Sequence, residues 1–191
     1  MAIRTGLHTN ARSYDKLSVN RMNNIPAQAH KQTVFEEIRD YVTQSGFSIV
    51  GEDLSRPWGG FMVLDESQAP RFIETFFPGI SLTEFDGFSK LSPKFLIVAP
   101  GARLSWQYHH RRAEIWRVVS GTVEVAVSNS DEEQTPKSYA PGEIIRLRQG
   151  ERHRLIGTNE YGVVAEIWQH TDPLSPSDES DIVRLQDDFG R

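Results

Sequence analysis

The chain has 191 residues, 38% hydrophobic and 25% charged, with a net charge of −5 and no cysteine. That is enough for one well-cored soluble domain with some decoration, and too little for two large ones. The negative charge argues against general nucleic-acid binding, the missing cysteines exclude disulfides and thiolate ligands, and no apolar run approaches the ~20 residues of a membrane span. With no signal-peptide core at the N-terminus, a cytoplasmic location is expected.

Residues 1–32 are polar and weakly patterned, with a helix-unfriendly Asn23-Asn24-Ile25-Pro26, and read as an N-terminal arm. From Thr33 to Ser45 the residues Phe35, Ile38, Tyr41 and Val42 share one helical stripe, and Gly46 marks its stop. The short strand F-S-I-V-G-E follows, so residues 33–53 are expected to pack as a helix and strand on a domain formed by 54–191. R-P-W-G at Arg56 to Gly59 is a turn feeding another strand. Residues 70–88 carry Phe72, Phe76, Phe77, Phe85 and Phe88, broken by Pro78-Gly79. Such a segment reads as a core cover or a subunit contact rather than a ligand box.

From Lys94 onward, short strands alternate with Gly/Pro punctuation at Pro100-Gly101, Ser120-Gly121 and Pro141-Gly142, and with an acidic loop over 128–137. T-V-E-V-A-V alternates as a half-buried strand should. Many short antiparallel strands at this spacing indicate an all-β fold, a double-sheet jelly roll.

Within that region Gln107 and His109 are two apart, so on an extended strand both point to one face. The polar step His110 to Ala113 turns the chain, and Glu114 opens the next strand. G-E-I-I-R-L-R-Q-G-E-R-H then delivers His153. Two nitrogens and two oxygens without sulfur suit one divalent transition metal, Zn first, with Mn, Fe, Co or Ni also fitting. Eight arginines between Arg103 and Arg154 make the motif region locally basic inside an acidic protein, which suits a small anionic ligand such as a sugar phosphate.

Gly101, Gln107, His109, Glu114 and Gly121 fit the spacing of the first cupin motif, with Gln107 in place of its first His. Gly142, Gly150 and His153 line up with the second motif, Arg148 standing where Pro is usual and Gly157 where Asn is usual. More narrowly, Q-x-H-H-x-R-x-E-x-W, the later H-R-L and the closing D-I-V-R-L-Q-D-D-F-G-R resemble the type II mannose-6-phosphate isomerases. Those occur alone or fused behind a mannose-1-phosphate guanylyltransferase. The resemblance covers roughly residues 54–191, beginning at R-P-W-G.

The resemblance implies a double-stranded β-helix (a cupin barrel) and a metal site of Gln107, His109, Glu114 and His153. It implies aldose–ketose isomerisation of a phosphorylated sugar, mannose 6-phosphate to fructose 6-phosphate through a cis-enediolate. The proton-transfer group is expected to be His110, next to a ligand, or Glu166, on the last barrel strand. By the same matching, Lys94, Arg112, Arg154 and Arg184 are candidates for binding the phosphorylated substrate. For Arg184 the other reading is a salt bridge with Asp187 or Asp188. Trp116 follows the family's E-x-W and is expected to pack beneath the site. Isomerisation of another sugar phosphate, such as a heptose phosphate, and non-catalytic sugar binding are the alternatives. A homodimer is the expected assembly.

Overall fold

The computed structural model describes residues 30–190, so the arm expected over 1–32 lies almost wholly outside the described residues. In chain order the elements are α1 (Lys31–Gln44), β1 (Ile49–Asp53), β2 (Gly59–Leu64), α2 (Ala69–Phe76), β3 (Lys90–Val98), β4 (Trp106–His109), β5 (Arg112–Ser120) and β6 (Val123–Ser128). They continue with β7 (Lys137–Tyr139), β8 (Ile144–Leu147), β9 (Arg152–Gly157), β10 (Gly162–His170) and β11 (Ile182–Gln186). The strands form two antiparallel sheets, ordered β1-β2-β3-β10-β5-β8 and β11-β4-β9-β6-β7. This is the jelly roll that the strand spacing predicts. Among the described residues no helix is long and apolar enough to cross a membrane.

The central strands of the six-stranded sheet, β3, β10 and β5, are largely buried on both faces. All nine residues of β10 are buried, so this strand shows no apolar–polar alternation. Its outward side chains Val163, Ala165 and Ile167, with Phe95, Ile97 and Ile115, meet α1 and α2. The Phe-rich stretch is therefore a core cover. Phe72 and Phe76 pack on Phe95 with ring centroids 5.3 and 5.0 Å apart, both close to edge-on. Each fully buried Phe contributes about 1.5–3 kcal/mol of transfer free energy. Pro70 within the first turn of α2 starts this eight-residue helix where its missing N–H costs nothing.

The inward side chains form a second core between the sheets, including Leu96, Val98, Val118, Val123, Leu155 and Val164. Register decides what lies beside it. Leu96, Val98, Val118 and Val164 fill one end, whereas Lys94, Glu166 and Trp116 occupy successive strands one layer away, as cross-strand partners. The same inward face is thus apolar at one end and chargeable at the other. Where the cupin pattern usually has Asn, Gly157 lies against the Ala99 carbonyl, and a Cβ there would collide with it. The closing tail joins the smaller sheet: β11 pairs antiparallel with β4.

Candidate metal centre

Three strands of the smaller sheet set Arg184, Gln107 and His153 side by side, on β11, β4 and β9. His109, two residues beyond Gln107, shares its face. Glu114 comes from β5 in the opposite sheet. His109, Glu114 and His153 are each 2% exposed, and one ligand atom from each lies within 4.8 Å of the others. His109 Nε2 is 3.2 Å from Glu114 Oε1, and His153 Nε2 is 3.4 Å from Glu114 Oε2.

These contacts fit a cation between the groups. His153 Nδ1 is 3.0 Å from the Glu151 carbonyl, which can only accept, so Nδ1 carries the hydrogen and Nε2 presents a lone pair. That Nε2 is buried with no hydrogen-bond partner among the described residues, and it faces a carboxylate oxygen. Burial pushes the His153 pKa down to about 4, so protonation does not relieve the clash of lone pairs at neutral pH. A metal ion would, with the Glu151 carbonyl orienting the ring as an outer partner. His109, Glu114 and His153 would hold it. Gln107 lines the adjoining cavity, its Oε1 accepting from the Ser105 hydroxyl at 2.6 Å.

The cavity between the sheets is also lined by Lys94, Arg112, Trp116, Glu166, Trp168 and Arg184. Trp116 lies at the base of the site, where its Nε1–H donates to Glu114 Oε2 at 3.1 Å and to Glu166 Oε1 at 2.9 Å. The two carboxyl groups behave oppositely. Burial acts to raise Glu114, but His109 and Arg112 outweigh it and hold this carboxyl well below its usual range. Glu166 is pushed up to about 8, first by burial and then by the charge on Glu114. A group poised near neutrality beside a firmly ionised one is the arrangement that divides proton transfer from charge binding.

The other expected site residues are not all brought here. His110 is exposed on the β4–β5 turn, its ring 5.1 Å from that of Tyr108, and it does not line the cavity. Arg154 is buried, but it alternates with His153 along β9 and points to the opposite face, where Nη1 donates to Glu133 at 2.7 Å. Arg184 lines the cavity, while Asp188 pairs with Arg103. Lys94 stands 3.3 Å from Glu179 and 3.2 Å from the centroid of the Trp168 ring. Burial lowers its pKa.

Arg112 has a structural occupation. Its Nε donates to Glu114 Oε1 at 2.7 Å, Nη1 donates to Ser177 Oγ at 2.7 Å, and Nη2 lies 3.1 Å from His109 Nε2. All three nitrogens are engaged. Sequence reasoning missed Arg56, Phe61, Trp168 and Glu179 as cavity residues. Only Arg56 carried a signal, as the first residue of R-P-W-G.

A family model described as the mannose-6-phosphate isomerase C-terminal domain matches residues 48–187. Among curated proteins, the alginate biosynthesis protein AlgA of Pseudomonas aeruginosa is 34% identical over 127 residues, covering 65% of this chain and 24% of that protein. The xanthan biosynthesis protein XanB of Xanthomonas campestris is 32% identical over 140 residues, 71% of this chain and 23% of its own length. The mannose-1-phosphate guanylyltransferase ManC of Salmonella typhimurium is 30% identical over 119 residues, 62% of this chain and 23% of ManC. The chain thus spans about a quarter of the length of the curated relatives it matches. Among solved structures, oxalate decarboxylase from Bacillus subtilis superposes with a TM-score of 0.51 at 13% identity, over 71% of this chain and 30% of that one. That likeness bears on the fold alone, a double-sheet jelly roll.

Proposed function

Because this chain belongs to the family of mannose-6-phosphate isomerase C-terminal domains, we propose that it is a metal-dependent aldose–ketose isomerase of a phosphorylated sugar, interconverting mannose 6-phosphate and fructose 6-phosphate. The observation that carries the reading is geometric: Glu114, which clusters with His109 and His153, shares the Trp116 N–H with a second buried carboxyl, Glu166, on the wall of the same cavity. A bound divalent cation would supply polarisation of the substrate's carbonyl and adjacent hydroxyl. The neutral oxygen of Gln107, in place of a charged ligand, would leave more of its positive charge for that task.

The chain's own groups do the rest. Glu166 moves the carbon-bound proton, taking it from one of the first two carbons of the open-chain sugar and returning it to the other, while the hydroxyl proton passes between the two adjacent oxygens. Its Oε1 is oriented by the Trp116 N–H at 2.9 Å. Lys94, directly across the strand pair from Glu166, offers a cation beside that carboxylate. Arg112 positions Glu114 and His109 rather than binding substrate. Zn is the working ion of the proposal, as the nitrogen and oxygen donor set suits it. A homodimer is also part of it, with the outer edge of β1, where Val50 is 62% exposed, as the place for a second copy to add.

The test is a coupled assay for fructose 6-phosphate formation from mannose 6-phosphate, on metal-stripped protein with Zn, Mn, Co and Fe restored separately. Turnover that returns with an ion supports the proposal and identifies that ion. If metal binds and no ion restores turnover, this substrate is wrong, and other sugar phosphates and binding without turnover are tested next.

A further inference from the structure

Four cationic side chains line the cavity, and their positions are not equivalent. Three of them, Arg56, Lys94 and Arg112, form a ladder with two aromatic rings. The Arg56 guanidinium carbon is 5.5 Å from the centroid of Phe61, and Lys94 Nζ is 5.3 Å from that same ring. Lys94 Nζ is in turn 3.2 Å from the centroid of Trp168, and the Arg112 guanidinium carbon is 3.5 Å from it. At the Arg112 end the ladder touches His109 and Glu114. Arg56 is the opposite end. It sits on the turn into β2 with its side chain 27% exposed, and its Nε is 2.8 Å from Asp53 Oδ2. Asp53 is itself fixed, because its Oδ1 accepts from the Ser55 amide at 3.0 Å and the Ser55 hydroxyl at 2.7 Å.

In a hexose 6-phosphate the reacting carbons and the phosphate stand at opposite ends of a six-carbon chain. A cation that already touches the metal group cannot reach the far end, and the nitrogens of Arg112 are engaged in any case. Lys94, midway along the ladder, is 6% exposed and faces Glu166 and Glu179. Trp168, between Lys94 and Arg112, keeps a buried Nε1–H with no hydrogen-bond partner among the described residues, a donor placed for an oxygen of the sugar. We propose that Arg56 recognises the phosphate of the substrate, with Asp53 orienting its guanidinium and Arg184 reaching the same cavity from the other sheet. The planar fork of a guanidinium matches two phosphate oxygens, and its partial exposure at the end of the ladder lets a strongly hydrated dianion enter. The proposal rests on the isomerase reading for the substrate, though not for the anion.

Two measurements on the full chain test it, with Arg56→Ala and Arg56→Lys as variants. In isothermal titration with inorganic phosphate, Arg56→Ala is expected to weaken binding by about tenfold or more, the loss of a charge-assisted contact. In the assay, the ratio of kcat/KM for mannose 6-phosphate to that for free mannose is expected to fall by a similar factor. Arg56→Lys, keeping the charge without the fork, recovers part of each. Phosphate affinity within about twofold of the unsubstituted protein, or an equal loss on free and phosphorylated sugar, overturns the assignment. If the unsubstituted chain turns over no sugar phosphate, the isomerase reading fails by itself and the titration still decides about Arg56. Phosphate bound by the unsubstituted chain and lost in Arg56→Ala upholds the anion site, whereas no phosphate binding in the unsubstituted chain overturns it.

Discussion

One indole N–H serves two carboxyl groups in this cavity, and their difference in pKa decides which residue to alter first. Glu166→Gln removes the group raised to about 8 while keeping its shape and its contact with Trp116. Turnover is expected to fall roughly 10²–10⁴-fold, the usual contribution of a positioned proton-transfer group, with the metal content of the purified protein intact. The comparison is His110→Ala. If that exposed residue proves the one whose loss abolishes turnover, the proton-transfer role belongs to it instead. At this scale the His109–Glu114–His153 group was legible in the sequence, because period-2 alternation and a short turn suffice to aim two of its side chains. Arg112 was not legible. Its spacing from His109 and Glu114 suggests a substrate contact, but a partner that occupies it, Ser177, comes from the distant tail. Likewise Arg154 is adjacent to His153, and that adjacency on a strand sends it to the other face.

Among the elements, the closing tail has the largest effect on the site for its length. Asp181, 5% exposed, accepts from the backbone amides of His110 at 3.2 Å and Arg111 at 3.0 Å, and from Ser177 Oγ at 2.6 Å. It thereby fastens the β4–β5 turn, which carries His109 on one flank and Glu114 on the other. Asp181→Ala leaves buried donors without partners and is expected to cost about 3 kcal/mol of stability. The metal concentration for half-saturation is expected to rise with it. Urea unfolding of metal-free protein and a metal titration check both, and a stability change under about 0.5 kcal/mol would rule the clasp out. Sequence reasoning singled out this tail but gave it no partner strand, since pairing with β4 is a long-range contact that local pattern does not encode. Helix α2 was hidden for a different reason. Eight residues give barely two turns, too few for a 3.6-residue period to stand out from a run of phenylalanines.

For the molecule as a whole, acid sensitivity follows from a buried chain of hydrogen bonds outside the metal group. His170, 1% exposed, accepts the Ser177 amide on Nδ1 at 2.9 Å, so its Nε2 carries the hydrogen toward Ser92 Oγ at 2.8 Å. Ser92 donates to Glu66 Oε1 at 2.6 Å, which also pairs with Lys90. Burial, with the charges of Lys90, Arg112 and Lys94, pushes the His170 pKa down to about 4, against the opposing pull of Glu66. Above about pH 6.5 the ring is neutral whether folded or unfolded, and the stability is complete. As pH falls from there toward 4, the unfolded chain takes up a proton that the folded one refuses, so stability is lost. The loss from His170 is on the order of 1–3 kcal/mol, with His153 adding to it in metal-free protein. Calorimetric Tm values in EDTA between pH 7 and 4 should fall accordingly, and less steeply in His170→Gln. A flat profile would contradict the hydrogen-bond chain.

The metal group is assembled from strands that are not neighbours in the chain, and this has a consequence for synthesis. A nascent polypeptide that has passed β5 already contains His109 and Glu114, yet it lacks β9, the strand between β4 and β6 that bears His153. Two donors on a hairpin without its sheet hold a divalent ion poorly, because affinity depends on the fold that gathers the ligands. The Asp181 fastening arrives later still. Any metal loading would therefore wait until β9 and the Asp181 segment have been made, and a ribosome stalled before β9 would display a hairpin with no tight hold on an ion.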